Sequence, residues 1–166
     1  PGEVSLRSVR MGLPRQVDKG GHLEAMPYAD VPTLMQKLAA ASPTTGRDAL
    51  RFTIYYAVRS NETRFAVWTE FDLEKAIWTI PGERMKAGET HVVPLSAPAV
   101  ALLRKRWNER TSNTGLVFSN DGDKPISDMT MTKLLRDDGI KGVTVHGFRS
   151  AFTDWSSERT RFPKEV

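Results

Sequence analysis

Ala76-Ile77-Trp78-Thr79-Ile80-Pro81-Gly82 and, a little further on, Thr90-His91-Val92-Val93-Pro94 interrupt a chain that otherwise reads as helix. Both runs are rich in β-branched and aromatic residues, which suit a pleated, half-buried surface, and Pro81-Gly82 closes the first. Upstream, Trp68-Thr69-Glu70-Phe71 has the same character and leads into Asp72-Leu73-Glu74-Lys75, a polar, turn-like stretch. The pattern predicts three short antiparallel strands, with Lys86 near the tip of the loop or hairpin over residues 83–89.

Helical patterns lie on both sides. Asp30 is placed to cap a helix with Pro32 in its first turn, and Val31, Leu34, Met35, Leu38 and Ala39 follow at helical spacing. Ser42-Pro43 interrupts it. A second helix is expected through Ala49, Leu50, Thr53, Ile54 and Ala57 to about Arg59, then a short one with Ser60 as N-cap. Beyond the strands, Ser96 is expected to cap a helix carrying Val100, Leu103 and Trp107 on one face. Residues 113–124 read as a loop around Leu116-Val117-Phe118. Ser127 is expected to cap a helix through Met131, Leu134 and Leu135, stopped by Gly139. The last helix starts near His146, with an apolar stripe of Phe148, Ala151, Phe152 and Trp155. The expected class is therefore α+β, mainly helical, with a small three-stranded antiparallel sheet. Residues 1–27, with scattered Gly, Pro and Arg, read as a linker or arm, and the compact part as residues 28–166.

The 166 residues suffice for one domain with a real core, and a 39% hydrophobic content with four tryptophans argues against disorder. With no cysteine, disulfides, thiolate nucleophiles and cysteine metal sites are excluded. No run of about 18 apolar residues predicts a membrane span, and the opening Pro1-Gly2-Glu3-Val4 does not read as a signal peptide. A net charge of +4 permits a polyanionic partner without requiring one.

The chemistry-bearing residues are Arg59, Lys86, His146 and Arg149. His146-Gly147-Phe148-Arg149 sets an imidazole and a guanidinium three apart, where one helical face can carry both to one phosphate. Guanidiniums bind non-bridging phosphate oxygens bidentately and stay charged at any working pH, which suits Arg59 and Arg149 to a clamp. Lys86 can protonate a departing sugar oxygen, and His146 can donate to the phosphate or carry the nucleophile's proton. Glu62, three residues after Arg59, can hold that guanidinium in place.

Taken singly, each has a plainer reading. Arg59 is a helix-end charge, Lys86 a solubilising hairpin lysine, His146 a helix-start residue, and Arg149 a partner for Asp154 or Glu158. His91 reads as strand surface, and Arg104-Lys105-Arg106 as an exposed helix face. Tyr28, Tyr55 and Tyr56 are poor candidates for a nucleophile.

Together and in this order, the motifs resemble those of the tyrosine recombinase or phage integrase family, and within it the P4-like prophage integrases. Ala57-Val58-Arg59-Ser60-Asn61-Glu62 followed by Trp68-Thr69-Glu70-Phe71-Asp72 is similar to the family's first arginine box and the strand after it, although Ala57 stands where the family typically has glycine. Trp78-Thr79-Ile80-Pro81, Arg84-Met85-Lys86 and His91-Val92-Val93-Pro94-Leu95-Ser96 resemble the P4-type hairpin, and His146-Gly147-Phe148-Arg149 the His-x-x-Arg box. The resemblance implies a tyrosine-recombinase catalytic domain, with Arg59, Lys86, His146 and Arg149 in the active site and Glu62 supporting. It implies site-specific recombination at double-stranded attachment-site DNA through a 3′-phosphotyrosyl bond, with no metal or other cofactor. It further implies a four-protomer synapse, accessory bending or directionality factors, and a bacterial cytoplasmic, nucleoid-associated setting. The family's tyrosine and a further His or Trp are expected downstream of Val166, making 28–166 a partial catalytic domain. The alternatives are a non-catalytic DNA-binding module that keeps the phosphate pocket, a metal-free phosphodiesterase with His146 as base, and a type IB topoisomerase.

Overall fold

The computed structural model describes residues 25–85, 87–110, 113 and 115–161. The reading of residues 1–27 as a linker falls almost wholly outside them. Six helices flank one small sheet among these residues: α1 (Val31–Ala40), α2 (Thr45–Tyr56), α3 (Ser60–Arg64), β1 (Phe71–Asp72), β2 (Ile77–Ile80), β3 (His91–Pro94), α4 (Ala97–Glu109), α5 (Met129–Asp137) and α6 (Gly147–Arg159). No described helix is long and apolar enough to cross a membrane.

The sheet order is β1-β2-β3, antiparallel throughout, with Trp78 opposite both Phe71 and Val93. Alternation along β2 turns Trp78 and Ile80 into the core and leaves Thr79 exposed. Phe71 lies parallel to the Trp78 indole at 5.4 Å, and Phe52 of α2 meets Trp78 edge-on at 5.1 Å. Phe52 also touches Phe118, at 5.2 Å. One aromatic cluster thus joins α2, the sheet and the segment after α4, with ring geometries favoured by the aromatic quadrupole.

α2 is the central helix. Thr44 caps it by accepting the Arg47 N–H at 3.2 Å. Gly46 lets α5 pack close, since a β-carbon there would stand 2.5 Å from the Thr130 methyl. The buried Thr53 hydroxyl donates to the Ala49 carbonyl at 2.8 Å and shares a 2.9 Å hydrogen bond with the Thr63 hydroxyl, which fixes α3 against α2.

Several local expectations need correction. Asp30 occupies the N-cap of α1 in a helical conformation, so its carboxylate makes no capping bond. α2 stops at Tyr56 because Ala57 turns left-handed (φ 48°), and Arg59, not Ser60, takes the extended N-cap position of α3. Residues Trp68–Glu70 form a 3-10 turn, so β1 is only Phe71–Asp72, and Ala76 (φ 53°) closes the turn into β2 instead of belonging to it. Ser96 precedes α4 without a side-chain cap. Asp128 holds the N-cap position of α5, while the Ser127 hydroxyl accepts the Met129 N–H at 3.2 Å. The α6 stripe divides: Phe148 and Ala151 are buried, whereas Phe152 and Trp155 are 46% and 41% exposed. Arg106 leaves the exposed face expected for residues 104–106. It turns inward to buried Asp48 at 3.3 Å and donates to the carbonyls of Val117 and Ser119.

Candidate active site

Arg59, Glu62 and Arg149 line one cleft of about 620 Å³, between the α2–α3 junction, the β-hairpin and α6. The left-handed turn at Ala57 sets up the first part. It ends α2, and two residues on, Arg59 takes extended backbone as the N-cap of α3. Glu62, the third residue of α3, reaches back in half of a capping box. Its Oε2 accepts the Arg59 backbone N–H at 2.9 Å. Its Oε1 accepts from Arg59 Nη1, also at 2.9 Å. Buried Glu62 therefore grips both ends of an arginine whose side chain is 45% exposed to the cleft. One carboxylate aims a guanidinium and leaves its remaining donors for an anion.

Arg149 comes from the first turn of α6. Its Nη1 donates to the Ala57 carbonyl at 2.5 Å, at the frayed end of α2. A cation there satisfies an orphan carbonyl and complements the negative end of the helix dipole. The bond fixes α6 to the loop that carries Arg59, so the two guanidiniums share a cavity despite their distance in sequence. Asp154 and Glu158, the plainer partners for Arg149, are not used; Glu158 instead accepts from the Tyr28 hydroxyl at 2.8 Å.

His146 is the N-cap residue of α6. It is exposed and does not line the cleft, so the three-residue spacing does not bring it together with Arg149 there. Thr144 supplies the cap, accepting the Gly147 N–H at 2.9 Å. Lys86 lies outside the described residues; its neighbours Met85 and Ala87 line the cleft. His91, read from sequence as strand surface, is an exposed residue of β3 that also lines it. Thr153, Ser156 and Ser157 add hydroxyls from α6. Their spacing of four, seven and eight from Arg149 is the helical period that could have found them.

The tyrosines fall in three places. Tyr28 is held at the far end of α6 by Glu158 and by Arg159, whose Nε donates to its hydroxyl at 3.2 Å. Tyr55 packs half-buried against the core. Tyr56 lines the cleft, but its hydroxyl accepts the Ser96 N–H at 2.9 Å.

Sequence reasoning missed Arg84 and Glu70. Buried Glu70 accepts the Trp78 indole N–H at 2.9 Å and forms an ion pair with Arg84. The second arm of that guanidinium, Nη2, donates to the Glu62 carbonyl at 2.6 Å.

Helices arranged around a three-stranded sheet in this way have clear relatives among solved structures. The XerH site-specific recombinase, in a post-cleavage complex with difH substrate, superposes with a TM-score of 0.65 over 87% of this chain and 45% of its own, at 15% identity. Lambda integrase, as a tetramer bound to a Holliday junction, gives 0.61 over 96% and 50%, at 16% identity. The fold is that of the tyrosine-recombinase catalytic domains. More particularly, the chain belongs to the phage integrase family, whose model matches residues 24–160. It is 35% identical over 144 residues to prophage integrase IntZ of Escherichia coli K12 and 35% identical over 150 residues to the integrase of enterobacteria phage P4. The matches cover 86% and 80% of this chain. The chain spans about a third of the length of these relatives, 36% and 34%.

Proposed function

We propose that this chain forms the phosphate-activating part of a site-specific DNA recombinase that integrates or excises a prophage or genomic island. The observation that carries the reading is the shared cleft of Arg59 and Arg149, with Glu62 aiming the first and the Ala57 carbonyl anchoring the second. Two fixed guanidiniums stabilise the charge that builds on the non-bridging oxygens during in-line substitution.

A tyrosine phenol oxygen attacks phosphorus, the bond to the 5′ oxygen breaks, and a 3′-phosphotyrosyl link forms. Lys86 gives the departing oxygen its proton, and His146, exposed at the N-cap of α6 and outside the lining of the cleft, turns in to take the phenol's proton or to donate to the phosphate. The 5′-hydroxyl of a second strand then reverses the step, so the link conserves the bond energy and no cofactor is consumed. None of the three tyrosines of this chain is proposed as the attacking residue; the hydroxyls of Tyr28 and Tyr56 are engaged elsewhere, and Tyr55 packs half-buried against the core. Double-stranded attachment-site DNA is the partner, met mainly through its backbone, with four protomers in the synapse.

The test is covalent trapping of the whole gene product on a nicked duplex carrying its attachment core. An adduct whose formation is slowed about 100- to 1,000-fold by Arg59→Ala or Arg149→Ala supports the recombinase. Tight binding to the duplex without any adduct favours a non-catalytic DNA-binding module and overturns the reading.

A further inference from the structure

We infer that Arg84, held by Glu70, is a positioning residue for the Arg59 guanidinium, acting through the backbone of Glu62; the inference rests on the recombinase reading. Arg84 does not line the cleft, so its own charge is not offered to the substrate there. Its guanidinium is a bridge. One arm pairs with Glu70 and the other donates to the Glu62 carbonyl at 2.6 Å. Glu70 is 7% exposed, and its other oxygen is occupied by the Trp78 indole, itself fully buried. The fixed end of the bridge is thus locked into the aromatic core.

The free end grips the residue whose carboxylate aims Arg59 from two directions. A run of directed bonds therefore leads from Trp78 through Glu70, Arg84 and Glu62 to Arg59. Fold stability alone does not call for it, since a buried ion pair is commonly replaceable by apolar residues without loss. What an apolar pair cannot supply is a directed hold on one carbonyl. α3 is only five residues long; the Thr53 hydroxyl holds it at Thr63, and the Arg84 bond adds a second hold at Glu62 itself. A displacement of about 1 Å in a group that binds the reacting phosphate is enough to cost about a hundredfold in rate.

The experiment is a double-mutant cycle on the rate of adduct formation by the whole gene product, using the nicked attachment-core duplex. Arg84→Lys keeps the charge for Glu70 but loses the fork that reaches Glu62. Trp78→Phe removes the indole donor and keeps an aromatic ring, though a smaller one that leaves a cavity in the core, and it serves if Arg84→Lys fails to fold. We expect Arg84→Lys to slow cleavage about 10- to 100-fold with DNA affinity within about twofold of wild type. In the Arg59→Ala background, the same change is expected to slow cleavage by less than about twofold, because the group it positions is gone. Trp78→Phe is expected to show the same loss of effect in that background, from a smaller starting value. A purely structural role gives equal effects in both backgrounds, and that result overturns the inference. Full-rate cleavage by Arg84→Lys with Arg59→Ala strongly slowed also overturns it while leaving the recombinase reading intact. Unimpaired cleavage by Arg59→Ala, or none by wild type, removes that reading and the inference with it.

Discussion

The Arg149 guanidinium donates to the main-chain carbonyl of Ala57, the left-handed residue that ends α2. The arginine is thereby both a cation lining the cleft and the clasp joining α6 to the loop that bears Arg59. Its two roles separate by measurement. Arg149→Met should lower stability by about 1.5–3 kcal/mol, the usual contribution of a hydrogen bond to a charged group. Ser157→Ala, removing an exposed hydroxyl that lines the same cleft from the same helix, should stay within about 0.5 kcal/mol of wild type. Urea unfolding decides it, and equal losses would contradict the clasp.

Arg106 and Arg104 sit two apart on α4 and should behave oppositely. Arg106→Ala strands buried Asp48, leaving it only the longer contact with Arg51 at 3.7 Å, and should cost about 3–5 kcal/mol. Arg104 meets Glu74 in solvent, so Arg104→Ala should stay within about 0.5 kcal/mol of wild type. Similar urea midpoints for the two variants would show that the inward turn of Arg106 is energetically idle.

Ala76 holds a positive φ of 53° in the turn before β2. A β-carbon is disfavoured in that conformation, so Ala76→Gly should raise stability by about 1 kcal/mol and the melting temperature by about 2–4 °C. A lower melting temperature would mean that packing of the methyl outweighs the backbone relief.

Asp121 gives a pH signature. Backbone N–H groups of Lys124 and Asp123, with the Ser119 hydroxyl, hold its carboxyl down at about 2, from an ordinary 3.8. A depressed folded-state value means stability that is present above about pH 4 and lost as pH falls towards 2. Asp121→Asn should flatten the fall in melting temperature over that interval, and an unchanged wild-type slope would count against this account.

How far the sequence reveals this architecture depends on the range of the interaction. The strands were legible because alternation and Pro81-Gly82 are local signals, and Arg59–Glu62 because a three-residue spacing is also the geometry of a capping box. The stop at Ala57 was not, since alanine carries no left-handed signal and the helical spacing runs on through it. Arg106 was misread because charges two apart on a helix point about 200° from each other, so a basic run need not share one face. His146 and Arg149 have the same N-cap-to-third-residue spacing, but spacing does not say which way each side chain turns, and His146 is exposed outside the lining of the cleft. Glu70 and Arg84 belong to separate turns, and nothing in either turn announces the other.

The two carbonyl clasps also bear on how the pocket comes into being. Ala57 is held by a residue 92 positions later, and Glu62 by one 22 positions later. Closing loops of such length costs entropy that local helices do not face. A nascent chain that has formed only α1 to α3 therefore displays Arg59 without its companion. The two-arginine clamp exists only after α6 has docked, so an unfinished or partly unfolded chain carries no complete clamp.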